Sequence, residues 1–537
     1  MSGFLPRRMK FWGWGFEGEG ATPQERAYVH ANAAKRYGVT DFNDTPPREE
    51  EYTLRPPRVQ PPASLAAICS TERIDRLVHA YGKSFIDAVR IFERRVPNPP
   101  DVVAYPRDEA DVAALLDWAS ANDIAVIPFG AGSSVVGGIE PVVGGAFKGV
   151  VSINLQRLDK VLEVDRKSRA ARIQGGVLGP YLEAQLKPHD VTLRHFPQSY
   201  EYSTLGGWIA TRSGGHFATL YTHIDDFVES ARMITPKGAW ESFRLPGSGA
   251  GPSPDRIAIG SEGSLGIITE AWMRLQDRPR FRAGTSVAFS KFEDAWGAVR
   301  AIGQAGLYPS NVRLLDRVEA QATGAGDGSV DVMVLAFESA DHDVGPWMKR
   351  ALECARDHRG QPDMDQLESK GGHREGSSGA WRNAFIRAPF FREIMTPLNV
   401  LYDTFETSTT WDRFGDFHQT VMDTLHDVLK RECGPGASAS CRFTHVYPDG
   451  PAPYFSFYGK GKKGGMEQQW WAIKRACSDA LSRLKGTITH HHAVGRDHMP
   501  WYEKQRPELF AAALQGAKNA VDPRGVMNPG VLLKARG

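Results

Sequence analysis

The chain has 537 residues, too many for one hydrophobic core, so we expect two large domains with appended segments. Its 65 basic and 63 acidic residues nearly balance, which argues against a nucleic-acid surface and favours small-molecule partners. A composition that is 41% hydrophobic and 10% aromatic excludes a chain that is disordered throughout.

Cysteine usage and hydropathy indicate the compartment. The five cysteines are scattered without a C-x-x-C pair, which argues against a disulfide framework and a structural zinc site and favours a reducing environment. No run approaches the roughly 20 apolar residues of a spanning helix. We expect a cytoplasmic protein. Trp12, Trp14 and Phe16 near the start could touch a membrane surface, but packing onto the chain itself is the favoured alternative.

The order of predicted elements indicates two main domains. Residues 1–96 predict an irregular N-terminal arm with an extended proline-rich stretch, TLRPPRVQPP. In residues 97–278, a βαβ unit over DVVAYP, RDEADVAALLDWASAND and AVIPFG opens a series of short strands and helices. Strand-like and helix-like runs alternate again over 279–485, and residues 486–537 close the chain. The pattern predicts an α+β fold.

A glycine-rich turn follows the second strand of that unit, in the segment PFGAGSSVVGG. Glycines allow the backbone to approach a pyrophosphate closely, and serine hydroxyls add hydrogen-bond donors. A dinucleotide-binding G-x-G-x-x-G fingerprint would need glycine at position 135, where Val135 stands, and the P-loop lysine is missing. The turn alone is a weak signal for any one nucleotide.

Three later segments strengthen the interpretation of this turn: PQSYEYSTLGGWIATRSGG, IDDFVESARMITPKG and IAIGSEGSLGIITE. Together and in this order, the four segments resemble the FAD domain of the vanillyl-alcohol-oxidase family. The resemblance implies a two-subdomain, PCMH-type FAD-binding domain. It also implies FAD held non-covalently, because the pyrophosphate loop contains no histidine for a covalent link.

The resemblance further implies which residues contact the cofactor. The pyrophosphate loop would be Pro128, Phe129, Gly130, Ala131, Gly132, Ser133, Ser134, Val135, Val136, Gly137 and Gly138. The ribityl chain and isoalloxazine would be lined by Pro197, Gln198, Ser199, Tyr200, Glu201, Tyr202, Ser203, Ala210, Thr211, Arg212 and Ser213. The adenine side would be closed by Glu262, Gly263, Ser264, Leu265, Gly266, Ile267 and Ile268.

Four further segments, MKFWGWG, FETSTTWDR, SCRFTHVYPDGPAPYFSFY and TITHHHAVGRDHMPW, resemble the alkyldihydroxyacetonephosphate synthase family. That resemblance implies an enzyme that exchanges the acyl group of acyl-dihydroxyacetone phosphate for a fatty alcohol, with FAD acting as a covalent trap without net electron transfer. It implies a substrate (cap) domain over 279–485 and a C-terminal segment that returns to the FAD domain. A homodimer and peripheral membrane contact are what the family suggests.

The same resemblance implies roles for particular side chains. Tyr454 occupies the position of the catalytic acid/base, and Arg392 that of the ligand of the substrate phosphate. A phenol can accept a proton only if nearby cationic or donor groups stabilise the phenolate, and the histidine triplet could provide them. An arginine fork suits a phosphate. Asn528, in the closing N-P-G segment, could hydrogen-bond near the flavin ring.

Four histidines leave alternatives open. His490, His491 and His492 predict a polar wall of the active site, because three successive buried imidazoles need partners. Their spacing is poor for metal ligands, so we expect no metal. His216, in the SGGH turn, could be a flavin linkage site or a pocket residue, but a surface position is favoured.

Two other functions remain. One is an FAD-linked oxidase or dehydrogenase of an alcohol or hydroxy acid. The segment THVYPDGPAPYF weakens this reading, because it lacks the histidine pair and asparagine of the H-x-G-D-G-N-x-H motif that such dehydrogenases usually carry. The other is a flavoprotein without turnover.

Overall fold

The computed structural model describes residues 4–221, 223–368 and 376–535. Its helices are α1 Pro23–Tyr37, α2 Arg73–Val78, α3 Phe85–Phe92, α4 Glu109–Ala121, α5 Gly179–Leu186, α6 Leu205–Thr211, α7 Ala218–Tyr221, α8 Asp255–Ala258, α9 Phe292–Gln304, α10 Arg317–Thr323, α11 Gly345–Asp357, α12 Met364–Glu368, α13 Gly376–Met395, α14 Trp411–Cys433, α15 Met466–Arg483, α16 Met499–Gln505 and α17 Glu508–Val521.

The strands are β1 Cys69–Ser70, β2 Val102–Ala104, β3 Ile124–Phe129, β4 Gly149–Asn154, β5 Val161–Asp165, β6 Ala170–Gln174, β7 Val191–Thr192, β8 Val228–Thr235, β9 Gly238–Glu241, β10 Ile267–Arg274, β11 Gln276–Asp277, β12 Phe281–Phe289, β13 Asn311–Leu315, β14 Asp331–Ser339, β15 Gln361–Pro362, β16 Val400–Glu406, β17 Ser438–Val446 and β18 Pro451–Lys460. Three sheets carry most of them, in the orders β1-β2-β4-β3, β5-β6-β10-β8-β9 and β15-β12-β14-β13-β17-β18-β16. The predicted α+β fold is confirmed.

The first sheet contains the predicted βαβ unit. Strands β2 and β3 both run parallel to β4, which lies between them, and α4 makes the crossover with Asp108 as its N-cap. The C-terminal segment covers β3, because the Val126 N–H donates to the carbonyl of Val526 (2.8 Å). This contact closes an otherwise open strand edge beside the glycine-rich turn.

The third sheet is antiparallel throughout and forms the second half of the molecule. Helices α14 and α15 pack together over β17 and β18, with Phe417, Val421, Trp470 and Ile473 in their shared core. The buried face of α15 runs from Met466 to Leu481. It also contains a charged residue, Lys474.

The N-terminal arm is more ordered than expected. The prediction of an irregular segment missed α1, α2 and α3, which are short helices that gain stability from tertiary packing and from capping boxes at Thr22 and Ser84. Trp14 and Phe16 are 7% and 6% exposed, so both pack onto the chain.

A buried ion pair ties the arm to α13. Lys10 Nζ contacts Glu393 Oε2 at 2.7 Å, and both side chains are 1% exposed. Lys83 links the two elements as well: its ammonium donates to the carbonyl of Lys10 (2.8 Å), and its own carbonyl accepts from Arg392 (2.7 Å). The arm therefore holds the helix that carries Arg392.

Within the described ranges, no helix combines the length and the apolar character that crossing a membrane requires.

Candidate functional site

A cleft of about 280 Å³ lies between the glycine-rich turn and the third sheet. The first half of the chain lines it with residues of the 128–138 and 197–216 segments and with Glu262. Strands β16, β17 and β18, helices α13 and α15, and the loop after α15 line the other side. The cleft thus brings together segments far apart in sequence.

The backbone of the glycine-rich turn is arranged for an anion. Its carbonyls point outward, where those of Gly130, Ser134 and Val136 accept from Gln156 (3.0 Å), Lys83 (2.6 Å) and Arg496 (2.9 Å). No acceptor within the described residues contacts the N–H groups of 132–137. Gly132 has a φ of +79°, a conformation that side chains disfavour. A row of unpaired N–H donors beside a cleft fits a pyrophosphate.

Most residues predicted to bind FAD line the cleft. Those that do not are Gly137, Tyr200, Glu201, Tyr202, Arg212, Ser264 and Leu265. Arg212 points to the surface and pairs with Asp225 at 2.7 Å, with its side chain 62% exposed. Leu265 is instead a fully buried residue of the core beneath the second sheet.

Glu262 joins the first domain to the chain around the histidine triplet. Its carboxylate accepts the N–H groups of Val494 and Gly495, each at 2.8 Å, and its carbonyl accepts from Asn528 Nδ2 at 2.7 Å. Burial raises the pKa of the Glu262 carboxyl to about 7. The other amide atom of Asn528, Oδ1, is buried beside the cleft without a partner in the described chain, so it can accept a hydrogen bond from a bound ligand.

Tyr454 lies on β18, buried to 5% exposure, at the floor of the cleft. Its register partners are Arg442 on β17 and Glu406 on β16. The Tyr454 hydroxyl is 2.8 Å from Thr404 Oγ1, and the Arg442 guanidinium carbon lies 4.0 Å from the centre of its ring. Burial raises the pKa of Tyr454 to about 12 against the opposing effect of Arg442, so the phenol is neutral at pH 7.

Two imidazoles and one guanidinium surround this phenol. His491 and His492 contact the Tyr454 ring with centroid separations of 6.0 and 5.5 Å. Burial holds the pKa of both imidazoles below the usual value, so both are neutral at pH 7. Of the two kinds of stabilising group expected from the triplet, cations and hydrogen-bond donors, these neutral imidazoles can supply only N–H donors. Arg442, which also pairs with Glu319, is the cation next to Tyr454.

Glu406 organises the histidine triplet. Its carboxylate accepts the N–H groups of His490, His491 (3.2 Å) and His492 (2.9 Å), and the hydroxyl of Thr489 (2.7 Å). Burial alone would raise the pKa of this carboxyl, but the Thr489 hydroxyl and the backbone N–H donors lower it. A charged carboxylate therefore fixes the triplet from behind. In the sequence, the one signal for Glu406 is its place in FETSTTWDR, a segment that carries the family resemblance.

The triplet is divided between two positions. His491 and His492 line the cleft, whereas His490 lies behind it, with Nε2 3.0 Å from the hydroxyl of Tyr447. His445 joins the group from β17, and one ring nitrogen from each of His445, His490 and His491 falls within 4.8 Å of the others. His445 stands far from the triplet in the sequence, so the spacing of the triplet alone does not reveal this three-histidine group.

His216 also lines the cleft, contrary to the surface position expected. Its Nε2 is 3.1 Å from Asn311 Nδ2, and its ring stacks on Trp381 with centroids 5.6 Å apart. Arg313 closes the same end of the cleft, donating to Asn311 (3.1 Å) and to the carbonyl of His216 (3.2 Å).

Arg392 reaches the cleft from α13, near the helix proline Pro389. One of its terminal nitrogens donates to the carbonyl of Lys83 and the other contacts Asp403, each at 2.7 Å. Asp403 also accepts from Trp470 Nε1 at 2.6 Å. The guanidinium is thus held in place from two directions.

Comparison with known proteins places the chain among flavoenzymes. Residues 100–244 match the family model described as an FAD binding domain, and residues 278–532 match that of the C-terminal domain of FAD linked oxidases. These matches confirm FAD as the cofactor.

Similarity to individual proteins extends over nearly the whole chain. The alkyldihydroxyacetonephosphate synthase of Dictyostelium discoideum is 31% identical over 86% of this chain and 78% of its own length. That of Trypanosoma brucei brucei is 28% identical over 94% of this chain and 86% of its own. A solved structure titled alkyldihydroxyacetonephosphate synthase superposes with a TM-score of 0.81 at 26% identity, covering 97% of this chain and 98% of that one.

Proposed function

Because the chain belongs to the alkyldihydroxyacetonephosphate synthase family of FAD enzymes, we propose that it replaces the acyl group of acyl-dihydroxyacetone phosphate with a fatty alcohol. The products are the ether-linked alkyl-dihydroxyacetone phosphate and a fatty acid. The observation that carries this proposal is one cleft in which a phenol and two imidazoles face the glycine-rich turn, with Arg392 at its edge.

Bound non-covalently, FAD supplies covalent chemistry at its isoalloxazine ring that begins and ends in the same redox state. The N–H groups of the glycine-rich turn would hold its pyrophosphate, and Asn528 Oδ1 is free to accept a hydrogen bond from an N–H or O–H group of the cofactor. The chain's own residues bind the substrate, exclude water and move protons.

Proton transfer at C1 of the substrate falls to Tyr454 and its neighbours. Because its phenol is neutral at pH 7, Tyr454 begins the reaction able to donate a proton, and the adjacent neutral imidazoles of His491 and His492 are able to accept one. Arg442 stabilises negative charge that develops on the phenol oxygen. Glu406 keeps the two imidazoles against the ring.

Arg392 is assigned to the substrate phosphate. We expect Arg392→Ala to raise KM for acyl-dihydroxyacetone phosphate by roughly 10- to 100-fold, the usual effect of losing a charged hydrogen bond, and to change kcat less. Steady-state kinetics with the alcohol at saturation measure the split.

Arg387→Ala is the matched control for that variant. Arg387 lies on the same helix but pairs with Glu25 at 2.7 Å and does not line the cleft. Unchanged KM in Arg392→Ala, or an equal rise in both variants, would remove Arg392 from its assigned role.

One incubation tests the function. Purified holoenzyme kept anaerobic with palmitoyl-dihydroxyacetone phosphate and hexadecanol should form the ether product, without lasting loss of the oxidised flavin absorbance. Bleaching by a hydroxy acid or alcohol, with no ether product, would instead assign an oxidase or dehydrogenase. A protein that gives neither response would be a flavoprotein without turnover.

The proposal extends to the setting of the enzyme. Both substrates carry long alkyl chains, so we infer small-molecule lipid substrates met at a membrane surface by peripheral contact, in the cytoplasm. A homodimer is the assembly that the family suggests. Exposed apolar side chains such as Leu509 (85% exposed) and Phe510 (51%) support the membrane contact. Co-sedimentation with phospholipid vesicles and light scattering in solution test the two statements separately.

A further inference from the structure

Lys474 is a buried ammonium that the proposed reaction does not yet use. It lies on α15 one turn after Trp470, lines the cleft, and is 9% exposed. Its Nζ atom lies 5.9 Å from the centre of the Trp470 ring. A charged side chain in this position needs a physical reason, because moving an ammonium out of water is unfavourable.

The hydrogen bonds of His498 define how Lys474 is held. His498 Nδ1 lies 2.8 Å from the carbonyl of Ala493, which can only accept, so Nδ1 carries the proton. His498 Nε2 is therefore the acceptor for Lys474 Nζ at 2.5 Å. Since an ammonium has three N–H donors, this contact leaves two without a partner among the described residues.

Other buried lysines of the described chain are neutralised directly. Lys10 contacts Glu393 and Lys518 contacts Asp522, each at 2.7 Å. Lys474 has no carboxylate within 4.0 Å in the described ranges, and the nearby Asp497, Asp403 and Glu406 act on it only from a longer distance. Its charge is left for a ligand in the cleft.

Lys474 and Arg392 border the same part of the cleft. Asp403 accepts from Arg392 with one oxygen and from Trp470 with the other, and Trp470 in turn lies next to Lys474. Asp403 therefore cancels the charge of Arg392. A phosphate dianion at Arg392 needs a further cation that is not already neutralised.

We propose that Lys474, oriented by His498, is a second cation of the substrate-phosphate subsite and binds the same phosphate as Arg392. This proposal rests on the proposed function for the identity of the substrate. The pyrophosphate of FAD carries the same chemistry, but the glycine-rich turn already offers it a row of unpaired N–H donors. We therefore assign Lys474 to the phosphate of the substrate.

Binding to the holoenzyme, without turnover, tests the assignment. Isothermal titration with dihydroxyacetone phosphate and with inorganic phosphate should show Lys474→Met weakened by roughly 10- to 100-fold, the effect of one lost charged contact. Lys474→Arg should recover part of the affinity because it keeps the charge. Lys462→Met, at a lysine whose side chain is 64% exposed before α15, should bind like the wild type.

Release of FAD from the same variants, followed by flavin fluorescence, separates the two sources of phosphate. Unchanged FAD retention together with weakened dihydroxyacetone phosphate binding supports the proposal. Loss of FAD with unchanged ligand affinity would overturn it and assign Lys474 to the cofactor, and so would equal affinity in all variants.

The binding measurements and the ether-forming assay test two separate statements, the phosphate subsite and the proposed function. A wild-type protein that binds dihydroxyacetone phosphate through Lys474 but forms no ether product would refute the proposed function and leave the phosphate subsite standing. Ether formation at full rate and with unchanged KM in Lys474→Met would refute the subsite alone.

Discussion

Replacing Tyr454 with Phe is expected to lower kcat by about 100-fold or more while the protein stays folded and yellow, because the change removes only the hydroxyl that transfers the proton. The ring of Tyr454 packs against His491, His492 and Arg442, and Phe keeps those contacts. Single-turnover measurement of ether formation gives the effect on the chemical step. The flavin absorbance spectrum reports whether the cofactor site is intact.

Tyr458→Phe serves as the control for Tyr454→Phe. Tyr458 lies on the same strand, stacked on Tyr402 with centroids 4.5 Å apart, and does not line the cleft. Because this hydroxyl lies outside the cleft, Tyr458→Phe should have a kcat near that of the wild type. Full activity in Tyr454→Phe would mean that the neighbouring imidazoles, and not Tyr454, transfer the proton.

Removing the Glu406 carboxylate is expected to cost both activity and stability. In Glu406→Ala the N–H groups of His490, His491 and His492 and the hydroxyl of Thr489 lose a shared buried acceptor. Breaking such a buried, charged network costs about 3–5 kcal/mol, and the displaced imidazoles should lower kcat by about 100-fold. Thermal unfolding of the holoenzyme and steady-state kinetics measure the two effects.

Glu406→Gln distinguishes charge from shape. Its amide keeps one acceptor oxygen but places an NH₂ group against N–H donors, so we expect an intermediate loss of stability. It also removes the negative charge that raises the pKa of His492. If Glu406→Ala is as stable and as active as the wild type, the triplet does not depend on this carboxylate.

The fold was predictable where local chemistry decides it. The hydrophobic strand before PFGAGSSVVGG and the helix after Asp108 follow from period and capping, and both are observed. The N-terminal helices were missed because α2 and α3 are too short to be stable alone and depend on burial against distant segments.

The site was predictable only in part. Tyr454 and His491 stand in distinctive segments, and both line the cleft. Arg442, Glu406 and Lys474 are charged residues inside otherwise buried strands or a helix. The role of each residue depends on partners that are distant in sequence, such as Glu319 for Arg442. A local hydrophobic pattern does not predict such contacts.

Proteolytic removal of the first ten residues would break the buried ion pair between the arm and α13. Glu393 would then be buried without Lys10, directly next to the arginine assigned to the phosphate. The truncated protein should still bind FAD, because the glycine-rich turn is unchanged, but it should bind its substrate weakly. Proteolysis at the amino terminus would therefore lower the affinity for substrate and leave the FAD content unchanged.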